Sequence, residues 1–308
     1  MAQLRRLAAP ALLAGALLPW LLAAAPVEAD TSLRFFGHGV AAPGLDRVTV
    51  SLDAPARPVD VGAGDFTVEL WLKALPGENG SNWPCTCAND DWIHGNIFLD
   101  RDIFGPGDFG DWGASLTQGR VMFGVADSGS GTTACGLTGL TDGAWHHLAL
   151  TRRASDGRIE IYLDGALDGS ATGPTGNLSY RDGRSGAEND PFLVIGAEKH
   201  DAGAAYPSYS GWVDELRIST VRRYAGAFTP PVQPFTTDAS TAALYHCDES
   251  AGTSLGDTSG AAGGPSNGTL QVGGTPAGPL WSAETPFAVI FTDGFESGNT
   301  AAWTITVP

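Results

Sequence analysis

The sequence predicts an all-β protein built as an antiparallel sandwich of two sheets. Short runs of alternating apolar and polar residues recur from Ser32 to Ser219, separated by Gly, Asp and Pro. The chain contains 42 Gly and 20 Pro, which is typical of many turns rather than of helices. Apart from one turn near Thr220–Tyr224, no segment shows the period of an amphipathic helix.

Nine candidate strands follow one another in this region. In Phe66–Lys73 every second side chain is apolar, so one face of this strand should lie on a core. Arg158–Leu163 repeats the pattern, and Asp164-Gly165 after it predicts a tight turn. The nine predicted strands are Ser32–Phe36, Arg47–Leu52, Phe66–Lys73, Asn96–Leu99, Arg120–Ala126, Trp145–Arg152, Arg158–Leu163, Phe192–Ala197 and Gly211–Ser219.

Residues 1–29 have the features of a cleavable signal peptide. Arg5 and Arg6 precede an apolar run over Leu7–Leu22, and Val27-Glu28-Ala29 fits the small-x-small cleavage pattern. The run is broken by prolines and is short for a membrane-spanning helix, which needs about 20 apolar residues. We therefore expect a secreted, extracellular or periplasmic protein without membrane insertion.

The acidic net charge argues against nucleic acids and anionic membranes as partners. The net charge is −17, so the chain lacks the basic surface that nucleic acids and anionic membranes require. A glycan, an extracellular protein or a divalent cation remains compatible with this charge. The sequence does not predict the oligomeric state.

Four cysteines are present, at positions 85, 87, 135 and 247, an even number that favours disulfides in an oxidising compartment. They allow three pairings, and spacing alone does not choose among them. We expect Cys135 to pair with Cys85 or Cys87, which would pin a long loop, and Cys247 to take part in the remaining bond. A Cys-x-Cys metal site is the alternative, although it lacks a second ligand pair at zinc-like spacing.

Five segments carry a resemblance to a known family: GDFTVELWLK, DGAWHHLALTRR, GRIEIYLDGAL, PFLVIGAEKH and YSGWVDELRIS. In this order they resemble the strands of laminin-G-like domains of the concanavalin A-like lectin/glucanase class. The resemblance covers Ser32 to Phe228. It implies a jelly-roll sandwich that binds carbohydrates or proteins, often with a structural calcium ion.

The same resemblance divides the chain into parts. We expect one laminin-G-like domain over residues 30–235. Residues 236–287 contain LYHCDESAGTSLGDTSG, which resembles the start of a second laminin-G-like repeat, and we expect this segment to lie on the sandwich as an edge strand. Residues 288–308 form a short C-terminal tail.

A first candidate metal site involves Asp214. Strict alternation in WVDELRIS places Asp214 on the apolar face with Trp212, Leu216 and Ile218, where an unpaired carboxylate is costly. The resemblance implies a calcium ligand at this position, and Asp46 could supply a second carboxylate. The alternative is a buried Asp that accepts hydrogen bonds from backbone N–H groups.

The insert between Trp83 and Trp112 is the candidate ligand site. Its carboxylates and glycine turns suit Ca²⁺, with Asp100 and Asp102 as predicted ligands, and its tryptophans suit stacking on sugars. The alternative is a solvated acidic loop whose aromatic residues cap the sandwich. The predicted ligand-binding residues are Asp91, Trp92 and Trp112 from the insert and His200, Tyr206 and Tyr209 from a second loop.

Evidence for catalysis is thin. Glycosidases need two carboxylates close together, and the E-x-D-x-E pattern of the sandwich-fold glucanases that this chain resembles is missing, so that Glu69 stands alone. The preferred function is a non-catalytic carbohydrate-binding module. The alternatives are an adhesive or protein-binding surface protein, and a glycoside hydrolase or polysaccharide lyase.

Overall fold

A computed structural model describes residues 30–39, 45–53, 55–103, 110–127, 129–180, 191–200 and 202–287. The predicted signal peptide (1–29) and the predicted tail (288–308) lie outside the described residues. Within them, the chain forms two antiparallel sheets of eight strands each. The predicted fold class is confirmed.

The first sheet has the strand order β10-β9-β8-β3-β12-β1-β16, and β13 pairs with the far half of β12. Its strands are β1 (Ser32–Phe36), β3 (Phe66–Lys73), β8 (Trp145–Arg153), β9 (Arg158–Leu163), β10 (Ala166–Thr172), β12 (Ser210–Ser219), β13 (Thr241–Tyr245) and β16 (Leu280–Ser282).

The second sheet has the strand order β14-β15-β2-β11-β4-β5-β6-β7. A short 3-10 helix, Asp91–His94, precedes β4. The strands are β2 (Arg47–Ser51), β4 (Asn96–Arg101), β5 (Asp111–Thr117), β6 (Arg120–Ala126), β7 (Gly131–Cys135), β11 (Phe192–Ile195), β14 (Ser254–Leu255) and β15 (Gly268–Gln271).

The core lies between the two sheets, and the predicted alternation of β3 is confirmed. Phe66, Val68, Leu70 and Leu72 are fully buried and belong to one continuous apolar cluster. Burial of apolar surface contributes about 25 cal/mol per Å², so this alternating face is a main source of stability. Ile159, Ile161 and Leu163 of β9 join the same cluster, as predicted.

β12 differs from the strict alternation expected of it. Its pairing with β3 is shifted between Asp214 and Arg217, and Glu215 has a φ of +48°. Such a bulge changes which side chains face the core. Val213 therefore joins the core cluster with Leu216 and Ile218, whereas Trp212 lies against the Arg34 guanidinium at 4.1 Å. The predicted shared face of Trp212 and Leu216 is wrong.

The segment after residue 236 adds strands to both sheets. β13 pairs with β12, β15 pairs with β2, and β16 pairs with β1. The buried side chains of Tyr245, Leu255 and Leu270 belong to the main core cluster. Residues 241–282 are thus continuous with the sandwich in both sheets and in the core.

Candidate functional site

A cleft of about 460 Å³ opens at one end of the second sheet, between the loop before the 3-10 helix and the loop before β12. This volume falls in the range of small-ligand pockets. The lining residues are Gly80, Ser81, Asn82, Trp83, His94, Asn96, Ala204, Ala205 and Pro207.

Three aromatic rings form a row at this cleft. The Trp83 and His94 ring centroids are 3.8 Å apart, and the Tyr206 ring stacks on His94 at 5.4 Å. Trp83 is 41% exposed, so much of its ring is free for a ligand. Of the predicted ligand-binding residues, Tyr206 is the one that this row contains.

Asp91 fixes the position of the Trp83 ring through a hydrogen bond. Its buried carboxylate accepts four hydrogen bonds: one from Trp83 Nε1, two from the backbone and hydroxyl of Thr86, and one from Ala88 N. Burial by itself raises the pKa of Asp91, but these donors outweigh it and hold the pKa below its ordinary value. Asp91 is therefore a positioning residue rather than a ligand contact.

The floor of the cleft is fixed by hydrogen bonds between its two loops. Asn96 accepts from Ser81 N and donates to Ser208 O, so one amide joins both loops. Ser81 Oγ donates to His94 O. The polar groups of the cleft are therefore ordered before any ligand arrives.

Besides Asp91, three of the predicted ligand-binding residues are buried, which corrects the prediction that they contact a ligand. Trp92 is 2% exposed and covers Gly113 and Gly124, where an added Cβ would lie 2.1 Å and 1.9 Å from its ring. Trp112 is 1% exposed, and its ring lies 5.7 Å from that of Phe66 in the core. Tyr209 is fully buried and donates its hydroxyl to Lys73 O.

Sequence reasoning missed the importance of Trp83 and did not identify His94. A usable signal existed, because Trp83 stands in the polar stretch SNWPC, whereas Trp92 is followed by Ile93 and Ile97. A tryptophan outside any apolar pattern is the better candidate for exposure.

His200 and the predicted metal ligands Asp100 and Asp102 form a separate cluster. His200 Nδ1 lies 3.4 Å from Asp102 Oδ2 and 3.5 Å from Glu198 Oε1. The Asp100 carboxylate accepts hydrogen bonds from Asp102 N and Lys199 N, while burial and the charges of Asp102 and Glu198 raise its pKa. Backbone donors thus already bind both oxygens of Asp100.

Asp214 has the feature expected of a cation ligand. It is fully buried, Oδ1 accepts from Glu215 N, and Oδ2 has no hydrogen-bond partner. Burial raises the pKa of Asp214 to about 10, and the charges of Glu215, Asp30 and Asp248 add to this effect. Asp248 in turn accepts a hydrogen bond from Thr31 N. The charges of carboxylates from three separate segments therefore act on Asp214 at the β12 bulge.

Asp46 lies elsewhere, which corrects the expectation that it joins Asp214. Its carboxylate accepts hydrogen bonds from Phe36 N and His38 N at the end of β1. Phe36 pairs with Ser210, four residues before Asp214 on β12, a separation of about 13 Å along a strand. Burial raises the pKa of Asp46 to about 6.

No three His, Cys, Asp or Glu side chains are grouped to hold a metal ion anywhere in the described part of the chain. Any cation at Asp214 would need backbone carbonyls or water to complete its shell. Calcium accepts six to eight such oxygen ligands, so the donor chemistry of Asp214, Asp30 and Asp248 fits it.

Comparison with known families gives a single assignment. Residues 48–225 match the family model of the concanavalin A-like lectin/glucanases superfamily, more than half of the chain. The chain belongs to this superfamily. The predicted resemblance is thereby confirmed, and no curated protein sequence matches the chain.

Solved structures with a similar fold include three from different organisms. A Bacteroides ovatus protein, provisionally described as carbohydrate binding, is 16% identical with a TM-score of 0.48, covering 86% of this chain and 63% of its own. A heptameric SAP-like pentraxin from Limulus polyphemus is 15% identical with a TM-score of 0.41, covering 65% and 80%. Domains LG4-5 of mouse laminin alpha1 are 15% identical with a TM-score of 0.42, covering 78% and 53%. This chain therefore spans less than two thirds of the Bacteroides protein.

In this superfamily member, Glu69 is unsuited to acid–base catalysis. Its side chain is fully buried, accepts hydrogen bonds from Arg217 Nε at 2.8 Å and Tyr224 Oη at 2.6 Å, and lies 3.5 Å from His147. These partners hold the pKa of Glu69 below its ordinary value despite burial, which acts in the opposite direction. A substrate does not reach this carboxylate.

The cysteines confirm one part of the disulfide prediction and correct another. Cys85 and Cys135 form a disulfide, so the loop is pinned to the end of β7 as expected. Cys87 is an exposed thiol, and Cys247 is a buried one. A Cys247 disulfide is excluded by position, since its side chain lies in the core beside Asp214.

In the described ranges, no helix has the length and hydropathy needed to cross a membrane.

Proposed function

We propose that this protein is a secreted, non-catalytic carbohydrate-binding module whose ligand binds in the cleft beside Trp83. The exposed Trp83 ring, which packs against His94, carries this proposal. Aromatic rings offer an apolar face with fixed geometry, and the apolar C–H face of a pyranose fits such a surface. The ordered amide of Asn96 and the exposed Asn82 supply polar groups around this ring.

The lining of the cleft favours a neutral sugar. Among the described residues that line the cleft, none is Asp, Glu, Lys or Arg. A charged glycan would find no opposite charge there, while the net charge of −17 would repel an anionic one. We therefore expect a neutral oligosaccharide or polysaccharide rather than a sulfated or uronic one.

A structural calcium ion at Asp214 is part of the proposal. The unpartnered Oδ2 of Asp214 supports it, because a buried carboxylate oxygen without a partner costs several kcal/mol in the absence of a cation. Asp30 and Asp248 would add carboxylate oxygens. The ion would neutralise these charges and hold residues 30–31 and 247–248 against β12.

Secretion is supported by the disulfide as well as by the N-terminal pattern. Disulfides persist in oxidising compartments and are rare in the cytosol. Cleavage after residue 29 would leave Asp30 near the new N-terminus, at the proposed calcium site.

The decisive experiment is binding of residues 30–308 to a glycan array, with calcium and again with excess EDTA. We expect binding to neutral glycans, weakened at least tenfold by Trp83→Ala and Tyr206→Ala, a loss of about 1.4 kcal/mol or more. Phe192→Ala is the matched control, since Phe192 is 38% exposed and outside the cleft. Equal loss in all three variants, or no glycan binding in either buffer, would contradict the proposal. The second outcome would favour the adhesive, protein-binding alternative.

A further inference from the structure

Three cysteines meet where the loop before the 3-10 helix crosses the end of β7. Cys85 and Cys135 form the disulfide, and the Cys87 sulfur lies 3.3 Å from the Cys135 sulfur. Cys135 carries no hydrogen, so the Cys87 thiol is the donor in this contact. A free thiol is therefore held against one sulfur of an existing disulfide.

Hydrogen bonds to the loop backbone hold Cys87 in this position. Asp91 binds the backbone N–H groups of Thr86 and Ala88, the residues on either side of Cys87. Cys87 itself has a φ of +63°, and its carbonyl accepts a hydrogen bond from Thr132 Oγ1 of β7. These contacts fix the backbone on both sides of the thiol, so its approach to Cys135 follows from the local fold.

The geometry points to an internal thiol–disulfide exchange, in which Cys87 and Cys85 compete for Cys135. The Cys87 thiolate attacks Cys135 Sγ, the Cys87–Cys135 bond forms, and the Cys85–Cys135 bond breaks. Cys85 leaves as a thiolate and takes up the proton that Cys87 lost. One disulfide is broken and one is made, so no oxidant or reductant is needed.

Exposure favours this reaction at Cys87 and not at Cys247. Cys87 is open to solvent, whereas Cys247 is buried and burial raises its pKa well above the ordinary value. Since the thiolate is the attacking species, an exposed thiol reacts and a buried one does not.

The exchange changes the surroundings of the cleft. Cys85 packs against the small cluster of Trp92, Ile97 and Met122, and it stands two residues after Trp83. Releasing Cys85 from Cys135 moves the covalent tie of this loop two residues further from the Trp83 ring. An effect on glycan affinity rests on the proposed function, but the exchange itself does not.

Disulfide mapping of the purified full chain tests the inference. The protein is equilibrated between pH 6 and 9, quenched with acid and labelled with N-ethylmaleimide under mildly acidic denaturing conditions, and then digested with pepsin for fragment-ion mass spectrometry. We expect label on both Cys85 and Cys87, beside the label on the free Cys247, with faster exchange at higher pH because the thiolate is the attacking species. Cys87→Ser should leave a single pairing, Cys85–Cys135, and no labelled Cys85.

A second variant tests the inference even if the Cys87–Cys135 pairing is too rare to detect in the wild type. Cys85→Ser, with its fold checked by circular dichroism and equilibrated with oxidised glutathione as the oxidant, should form the Cys87–Cys135 bond and leave Cys247 as its one thiol. Label on Cys87 and Cys247 but never on Cys85, in the wild type at every pH, overturns the inference. So does a folded Cys85→Ser protein in which Cys87 and Cys135 both remain thiols. Neither readout uses glycan binding, so failure of the proposed function is distinguishable from failure of the exchange.

Discussion

The carboxylate of Asp91 accepts a hydrogen bond from Trp83 Nε1 at 3.0 Å, linking a buried acid to the most exposed ring of the cleft. The same carboxylate binds the loop that carries Cys87. One side chain therefore sets the position of both the proposed sugar platform and the free thiol. Its role differs from the ligand contact expected from the sequence.

Asp91→Asn should weaken both the loop and glycan binding. Three of the four donors converge on one carboxylate oxygen, and an amide replaces one oxygen with an NH₂ group that cannot accept them. We expect a loss of about 1–3 kcal/mol in the free energy of unfolding by urea titration. Asp90→Asn is the control and should change it by less than about 0.5 kcal/mol. Equal stability of the two variants would contradict the positioning role.

Gly124→Ala should destabilise the second sheet. An added Cβ would lie 1.9 Å from Trp92 Cδ1, so the ring or the strand must move. Overfilling of this kind costs about 1–3 kcal/mol, which thermal unfolding measures as a lower melting temperature. At Gly64 an added Cβ meets nothing within 4 Å, so Gly64→Ala should leave the melting temperature nearly unchanged. A drop in both variants would point to a glycine effect unrelated to Trp92.

Glu69→Gln tests whether the buried contacts of Glu69 with Arg217 and Tyr224 stabilise the fold. It removes the charge opposite Arg217, and breaking a buried pair costs about 3–5 kcal/mol. Glu284→Gln breaks the exposed pair with Lys73 and should cost less than about 1 kcal/mol. Chemical denaturation of both variants gives the comparison. A stable Glu69→Gln protein would reopen the question of a functional Glu69.

His146 should make stability depend on pH. Its ring nitrogens lie 2.7 Å from Asp164 and 3.1 Å from Asp142. Burial lowers the pKa of His146, but these carboxylates outweigh it and raise the pKa above its ordinary value. The folded state thus binds the proton more tightly than the unfolded state does. This stabilisation is complete below the unfolded pKa of about 6.5 and is lost as pH rises through the folded pKa.

The measurement is the difference in unfolding free energy between the wild type and His146→Gln. It should be larger at pH 5.5 than at pH 9. A difference that grows with pH would show that the imidazole stabilises the fold in its neutral form.

Calcium should raise the melting temperature, and Asp214→Asn should abolish the increase. A ligand that binds the folded state at 100 times its Kd stabilises it by about 2.7 kcal/mol. Asp46→Asn is the matched control, because Asp46 is also buried with one unpartnered oxygen but lies outside the proposed site. We expect this variant to keep the calcium response. A response lost in Asp46→Asn and kept in Asp214→Asn would move the ion to the end of β1.

Sequence periodicity was sufficient to predict the strands whose apolar residues alternate, such as β3 and β9. It failed for β5 and β7, which are rich in Gly, Ala, Ser and Thr and are buried by their neighbours rather than by their own apolar content. β-propensity depends strongly on such context. The bulge in β12 could not be predicted either, since it is a register shift against β3 at the point where the other partner of β12 changes from β1 to β13.

By itself the sequence determined the family, the sandwich and the neighbourhood of the candidate site, because strand alternation and motif order are local along the chain. Tertiary structure alone decided which aromatic rings are exposed. Trp92 enters the space above Gly113 and Gly124, while Trp83, nine residues earlier, remains at the surface on His94. It also decided which carboxylates influence one another, because strand pairing between distant parts of the chain lets the charges of Asp30 and Asp248 act on Asp214. Exposure and proximity are properties of packed elements, and residue type alone does not encode them.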